Sequence, residues 1–195
     1  MSALTRRDAV IAGHTGDIST ARAAWQAADP AVRASALGAL ERLGVLDDDT
    51  LASALLDGDV QVRRRAAEIA ASHVSVDLLG ALHDHDDRVV EVAAWACGEH
   101  ESRRDPIVER LVVLAQQASE PLVRESAVAA LGAIGDERGL GAIIAACSDK
   151  PAVRRRAVLA LAPFEGSEVE ATIERALADR DWQVRQAAED LRRAQ

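Results

Sequence analysis

Six copies of one short pattern dominate the sequence. Each copy contains a valine that marks it, and the markers follow one another at intervals of 27–34 residues: Val32, Val62, Val89, Val123, Val153 and Val184. An alanine stands four residues after every marker: Ala36, Ala66, Ala93, Ala127, Ala157 and Ala188. Another alanine stands eight residues before every marker: Ala24, Ala54, Ala81, Ala115, Ala145 and Ala176. A repeat of this length with two constant small positions predicts stacked helix pairs in an all-α solenoid.

The residues before each marker predict where a helix begins. Three positions before the valine stand residues that mostly favour a helix N-cap: Asp29, Asp59, Asp86, Glu120, Lys150 and Asp181. Proline follows in three copies, at a first helical position where its missing N–H costs nothing. Apolar residues then recur at the marker and 4, 7, 8 and 11 positions beyond it, which is one helical stripe. Gly44, Gly98 and Gly135 are predicted to close three of these helices.

A second apolar run precedes each turn. In the third copy, for example, Leu78, Ala81 and Leu82 have the spacing of a helix. A link of about two to five residues joins this run to the marker helix, which favours a helical hairpin. Short side chains in both alanine columns predict that the two helices cross closely.

The unit Asp-Pro-x-Val-Arg-x-x-Ala-x-x-Ala-Leu-Gly resembles the HEAT repeat, and specifically the short HEAT-like repeat named after phycobiliprotein lyases. The resemblance covers nearly the whole chain and implies an armadillo-type helical fold whose members are mostly scaffolds and in a few cases enzymes. It also implies a ladder between neighbouring repeats, in which the arginine after the marker meets a turn aspartate. The matching arginines are Arg33, Arg63, Arg124, Arg154 and Arg185. Val90 replaces arginine in the third copy, so one rung should be missing there.

The repeats leave no room for a linker, so the sequence predicts a single domain over residues 1–195. An N-terminal cap is expected at 1–16, and six repeats at about 17–45, 46–74, 75–104, 105–135, 136–166 and 167–195. Trp25 stands where most copies have leucine and is expected to pack in the core or the cap.

The composition narrows the classes of function. The chain is 49% hydrophobic and only 2% aromatic, and its net charge is −9. An acidic chain argues against nonspecific binding to nucleic acid or to an anionic membrane surface. No stretch has the length of a membrane span and no secretory leader is visible, so we expect a cytoplasmic protein, a monomer or a weak oligomer. Cys97 and Cys147 lie in apolar helical stripes and are expected to be buried small hydrophobes.

Two groups of histidines are candidates for special roles. The turn at 83–87 reads His-Asp-His-Asp-Asp, which are metal-ligand types. Ligands crowded into one turn rarely converge, so a solvated acidic turn is preferred, and neither a metal nor a cofactor is predicted. His73 and His100 stand 11 residues after their markers, where other copies have Leu43 or Phe164. We expect both histidines to be partly buried, near each other, and satisfied by backbone carbonyls.

Positions 2, 6 and 9 after each marker lie opposite the buried stripe of the second helices, which usually line the concave face of HEAT-like solenoids. Small residues dominate these positions, which predicts an open groove. Trp95 is either a ligand contact in this groove or a packing residue between repeats. The candidate binding residues are Arg64, Glu68, Glu91, Trp95, Glu125, Arg155 and Leu159.

The sequence shows no glycine-rich phosphate loop, no Ser/His/Asp ordering and no Cys/His spacing, so no catalytic residues are predicted. The leading interpretation is a non-enzymatic scaffold that binds a protein or peptide segment on its concave face. The alternative is a nucleic-acid-directed enzyme resembling the HEAT-like alkylpurine DNA glycosylases, in which Trp95 with Glu91 or Glu99 would supply the aromatic and acidic groups. A phycobilin-type lyase subunit is a third possibility, which the repeat name alone suggests.

Overall fold

The computed structural model describes residues 3–101 and 105–194. Within these ranges the chain forms twelve α-helices, two short 3-10 helices and no strand, which confirms the predicted all-α class. The helices form two compact units, one within residues 1–81 and one within 82–195. The predicted end of the third repeat, at residue 104, lies outside the described residues.

The first unit contains five helices. They are α1 (Arg6–Thr15), α2 (Ile18–Trp25), α3 (Pro30–Arg42), α4 (Asp48–Ala54) and α5 (Val60–Ala70). The helices α1, α3 and α5 pack side by side, while α2 packs on α1 and α3 and α4 packs on α5. Trp25 packs against the buried Ala9, Ala24 and Val32, as its predicted core or cap role requires.

The second unit has the same layered arrangement. It contains α6 (Asp87–Glu99), α7 (Asp105–Gln117), α8 (Pro121–Ile134), α9 (Leu140–Ala146), α10 (Pro151–Ala160), α11 (Ser167–Leu177) and α12 (Trp182–Ala194). A 3-10 helix, Glu137–Gly139, leads into α9. The marker helices α6, α8, α10 and α12 pack side by side in that order. The helices α7, α9 and α11 pack on α8, α10 and α12 and form the other layer.

The marker helices begin where the sequence predicts. In four of them the aspartate before the first residue accepts a hydrogen bond from a backbone N–H two positions later, at 2.8–3.0 Å: Asp29, Asp59, Asp86 and Asp181. Glu120 and Lys150 precede the other two helices and make no such side-chain cap. Both of those helices start with proline, whose φ is already helical, so they start cleanly without the cap.

The alanine four residues after the marker is fully buried in every copy, which confirms this column as a set of contact positions. The other alanine column has one exception, because Ala145 is exposed. Helix α9 is only seven residues long and buries Ala142, Ile143 and Ala146 instead. Its buried stripe is therefore shifted relative to the other first helices, and the prediction that Ala145 marks a close crossing is wrong.

One prediction about helix ends also needs correction. Gly44 and Gly135 do end their helices in the left-handed region, with φ of 66° and 62°. Gly98, however, lies inside α6 and is buried against α8, where a Cβ would approach the Ala130 Cα to 3.0 Å. Its role is close helix contact rather than capping.

The predicted first helix of the third repeat is replaced by a single 3-10 turn, Ala81–His83. This copy follows its predecessor after only 27 residues, the shortest interval in the chain. The segment before the turn contains two β-branched valines and Gly80, all of which disfavour helix. Too few helix-forming residues remain to build a second full helix.

Three rungs of the predicted arginine ladder form within the units. Each is a bidentate pair between the arginine after a marker and an aspartate in the next turn: Arg33 with Asp57, Arg124 with Asp149, and Arg154 with Asp179. Arg185, in the last repeat, donates instead to the backbone carbonyls of Asp179 and Arg180. Val90 is buried and carries no guanidinium, so the rung predicted to be missing is missing.

Neither Cys97 nor Cys147 forms a disulfide. Cys97 is buried as predicted, and Cys147 is partly buried. Burial raises the pKa of the Cys147 thiol to about 11, so the unreactive thiol form dominates at neutral pH.

Candidate functional site

A groove runs across the exposed side of α6 and α8 in the second unit, with a volume of about 410 Å³. We call it the Trp95 groove. Helix α6 contributes Glu91, Trp95, Gly98 and Glu99, helix α8 contributes Leu122, Glu125, Ser126, Ala129, Ala130 and Ala133, and helix α10 contributes Arg156. Three of the predicted site residues, Glu91, Trp95 and Glu125, therefore lie together.

The floor of the Trp95 groove is made of small side chains because the helices beneath it approach closely. Gly98 of α6 packs on Ala130 of α8, and Gly132 packs on Ala160 of α10, where a Cβ on Gly132 would lie 2.7 Å from the Ala160 Cα. Both glycines stand nine residues after a marker, a position predicted to be open, but each fills a helix–helix contact, and Gly98 reaches the groove only from its floor. The base of the groove is lined by small apolar residues for this reason.

Two large apolar side chains remain exposed in the groove. The relative exposure of Trp95 is 42% and that of Leu122 is 64%. An indole and an isobutyl group left open on one surface favour contact with another molecule, since tryptophan is enriched at the energetic centre of interfaces.

The rim of the groove is acidic. The charged residues that line the groove are three glutamates, Glu91, Glu99 and Glu125, and one arginine, Arg156. The Arg156 Nε lies 3.6 Å from Glu125 Oε1, and it is buried without a hydrogen-bond acceptor among the described residues. Because three carboxylates face one cation, the groove presents a net negative charge.

A second pocket of about 430 Å³ adjoins the groove and shares Glu91 and Leu122 with it. Its other lining residues are His85, Asp86, Asp87, Arg88, Glu120 and Val123. Arg88 pairs with Asp86 at 2.8 Å, and this hydrogen bond lowers the pKa of the Asp86 carboxyl to about 2. The pocket thus extends the acidic surface toward the start of α6.

The histidine-rich turn that the sequence singled out borders this pocket. His85 is exposed, and its Nδ1 lies 3.4 Å from Asp84 Oδ1. In the described ranges, no group of three or more His, Cys, Asp or Glu side chains is arranged to hold a metal ion.

The remaining predicted site residues lie elsewhere. Arg64 and Glu68 are exposed on α5 in the first unit, where Glu68 pairs with Arg65 at 3.0 Å. Arg155 and Leu159 lie on α10 and are not lining residues of the Trp95 groove. Leu159 is exposed, as the helical wheel predicts.

Sequence reasoning missed Leu122, Ser126 and Arg156, and it named Glu99 only for the alternative of a nucleic-acid-directed enzyme. The prediction used a wheel for one helix at a time, and these residues face the groove only because α6, α8 and α10 lie side by side. A signal for Leu122 was present, since it is a leucine beside the marker in a position that other copies fill with alanine, arginine or glutamine.

The fold is that of an α-solenoid, the class of helical-repeat proteins that includes the HEAT and armadillo repeats. Residues 76–151 match the family of HEAT repeats. The finer assignment to the phycobiliprotein-lyase type stays a prediction. No curated protein sequence matches the chain.

Solved structures of repeat proteins are similar to the chain. The Escherichia coli protein YibA has a TM-score of 0.74 at 19% identity, over 96% of this chain and 76% of that one. An engineered protein has a TM-score of 0.65 at 21% identity, over 89% of this chain and 94% of that one. A designed armadillo repeat protein in complex with the peptide (KR)4 has a TM-score of 0.60 at 19% identity, over 97% of both chains. At these identities the likeness concerns the fold.

Among the described residues, no helix combines the length and the apolar character that crossing a membrane requires. The predicted cytoplasmic location stays a prediction.

Proposed function

We propose that this protein is a non-enzymatic interaction module that binds a protein or peptide segment in the Trp95 groove. The observation that carries the proposal is the placement of two exposed apolar side chains, Trp95 and Leu122, within one groove whose rim is acidic. The indole and the leucine offer apolar contact area at the centre. The carboxylates around them favour a segment that carries positive charge.

The chemistry of the groove suits an extended segment with an arginine or lysine next to an apolar residue. A cation over the indole face gains a cation–π contact, worth about 0.5–2 kcal/mol depending on exposure. Glu91 lies one turn before Trp95 on α6, so its carboxylate is close to a cation held there. The adjoining pocket adds Asp87 and Glu120 for a further cation along the same segment.

The same charges weigh against the alternative of a nucleic-acid-directed enzyme. Phosphate groups supply most of the affinity of DNA-binding proteins through contacts with Lys and Arg. The Trp95 groove has one arginine among its lining residues, and that arginine faces Glu125. A groove of this composition repels a phosphate backbone.

A display selection tests the proposal although the natural partner is unidentified. A random linear peptide library is selected on the wild-type protein and, in parallel, on the Trp95→Ala variant, and the enriched peptides are sequenced. We expect enriched peptides with a net positive charge and an apolar residue. Their dissociation constants, measured by fluorescence anisotropy together with (KR)4 and a (DE)4 control, should rise for Trp95→Ala by an amount equivalent to about 2 kcal/mol or more.

Trp182 supplies a matched control because it is an exposed tryptophan in the same unit and is not a lining residue of the groove. Trp182→Ala should leave peptide affinity unchanged, and Glu91→Gln with Glu99→Gln should weaken it. Peptides that bind wild type and Trp95→Ala equally, or a selection dominated by acidic peptides, would contradict the proposed site. A tight, salt-sensitive complex with duplex DNA in a gel-shift assay would favour the alternative instead.

A further inference from the structure

His73 lies in the first unit, in the non-helical segment 71–80 that follows α5. Both nitrogens of its imidazole contact carboxylates. Nδ1 lies 2.9 Å from Asp48 Oδ1, and Nε2 lies 2.9 Å from Glu41 Oε2. The prediction that backbone carbonyls satisfy this histidine is therefore wrong. His73 joins its own segment to two other elements, the last turn of α3 and the first turn of α4.

The geometry identifies the protonation state of the ring. A neutral imidazole carries one N–H, whereas an ionised carboxylate can only accept a hydrogen bond. With a neutral His73, one of the two contacts would set a nitrogen lone pair against a carboxylate oxygen at 2.9 Å. Both contacts are favourable only when both nitrogens carry hydrogen, so the arrangement requires the imidazolium.

Further contacts hold the same segment. Ser75 Oγ donates a hydrogen bond to the second oxygen of Asp48, and the Val76 N–H donates to the His73 carbonyl at 2.9 Å. The segment also buries the side chains of Val76 and Leu78. The charged groups that face His73 are Glu41 from α3 and Asp48 from α4.

We propose that His73, Glu41 and Asp48 form a proton-dependent clasp, which holds segment 71–80 against α3 and α4 when the imidazole is charged and loosens it when the proton leaves. The clasp is a conformational device of the first unit. It uses residues that the Trp95 groove does not contain, so it stands independently of the proposed peptide binding.

The direction of the pH dependence follows from the environment of the ring. Burial lowers the pKa of His73, while the hydrogen bonds that its ring donates to Glu41 and Asp48 raise it, and the net result is a pKa above its ordinary value of 6.5. A group whose pKa is raised by folding stabilises the folded form fully below its unfolded pKa, and this contribution is lost as pH rises through the folded pKa. The clasp should therefore be closed in mildly acidic solution and open progressively above neutrality.

Two measurements on the full chain test the clasp. The first is the NMR titration of the His73 Cε1–H signal, whose midpoint should lie above about 6.5. The second is hydrogen exchange of the amides in segment 74–80, corrected for the intrinsic effect of pH. Protection should fall as the pH rises above about 6.5, by about tenfold for each unit by which the folded pKa exceeds the unfolded one.

The Asp48→Asn variant makes the test specific. An asparagine at this position can donate to a neutral Nδ1 while Nε2–H still donates to Glu41, and its carbonyl can still accept from Ser75. In the Asp48→Asn variant, the hydrogen-exchange protection of segment 74–80 should therefore not fall over the same pH range. The control is His14→Gln, which removes an exposed histidine on α1. This variant should lose protection in segment 74–80 with rising pH just as the wild type does. A His73 midpoint at or below about 6.5, or an equal loss of protection in wild type and Asp48→Asn, overturns the clasp.

Discussion

Arg124 binds the carboxylate of Asp149 through two parallel hydrogen bonds, from Nε to Oδ2 at 2.6 Å and from Nη2 to Oδ1 at 2.8 Å. The same guanidinium donates from Nη1 to the carbonyls of Ala118 and Ser119 in its own turn. One side chain thus fixes the turn before α8 and links it to the turn before α10. The two partners are 25 residues apart in sequence, so the contact joins neighbouring repeats.

Arg124→Met should lower the free energy of unfolding by about 2 kcal/mol. Removing one member of a fully buried pair costs roughly 3–5 kcal/mol, and the residual exposure of both side chains reduces this figure. Urea denaturation followed by circular dichroism measures the change. Arg88→Met is the control, because the Arg88–Asp86 pair is solvent-exposed on the arginine side and should contribute much less to stability. Equal effects of the two variants would show that the ladder pair contributes no more to the free energy of unfolding than an exposed ion pair does.

Acid should weaken the ladder in a predictable direction. Hydrogen bonds from the ladder arginines hold the pKa values of Asp57, Asp149 and Asp179 below the ordinary 3.8. Carboxyls with a depressed pKa stabilise the fold fully above their unfolded pKa, and the contribution is lost as pH falls through the folded pKa. Urea midpoints should therefore drop steeply below about pH 4, and Asp149→Asn should flatten that drop. The exposed Asp190→Asn serves as control and should follow wild type; a drop of the same steepness in Asp149→Asn would contradict the assignment.

Gly132→Ala should destabilise the second unit by about 1–2 kcal/mol, although alanine is the better helix former by about 1 kcal/mol. The new methyl group would lie 2.6 Å from the Ala160 Cβ and 3.0 Å from the Ala160 carbonyl oxygen, so α8 and α10 must move apart. Thermal and urea unfolding measure the effect. Gly141→Ala is the matched control, since its Cβ would meet nothing within 4 Å, and it should be neutral or stabilising. If both variants are destabilised to the same extent, the close contact between Gly132 and Ala160 does not explain the effect.

The alanine column offers a second pair of contrasting substitutions. Ala127→Leu and Ala157→Leu should each cost about 1–3 kcal/mol, because both positions are fully buried and have no room for added methylenes. Ala145→Leu changes the same residue type in the other column at an exposed position and should change stability by less than about 0.5 kcal/mol. Melting temperatures measured by differential scanning calorimetry distinguish these outcomes. If the two buried variants melt with wild type, the column does not mark tight crossings.

The sequence predicted the helical register well, because valine and alanine positions with a fixed spacing leave a single buried face. It misread Gly98, because a glycine near the end of a helical pattern looks the same whether it caps the helix or contacts a neighbour. It found Trp95 but not Leu122 or Arg156, because a groove between three adjacent helices has no signature within any one of them. It assigned His73 to backbone partners because the irregular segment 71–80, which brings His73 to Asp48, does not follow the repeat pattern.

Val90 and Ala118 stand where other repeats have an arginine and a turn aspartate, so both partners of one rung are replaced together. The repeats are consequently not interchangeable modules. A copy of the second repeat in place of the third would bring an arginine to the site of Val90, which is 3% exposed, while the turn before α8 would still lack its aspartate. A repeat should therefore be exchanged together with the turn that follows it, so that each arginine keeps its aspartate.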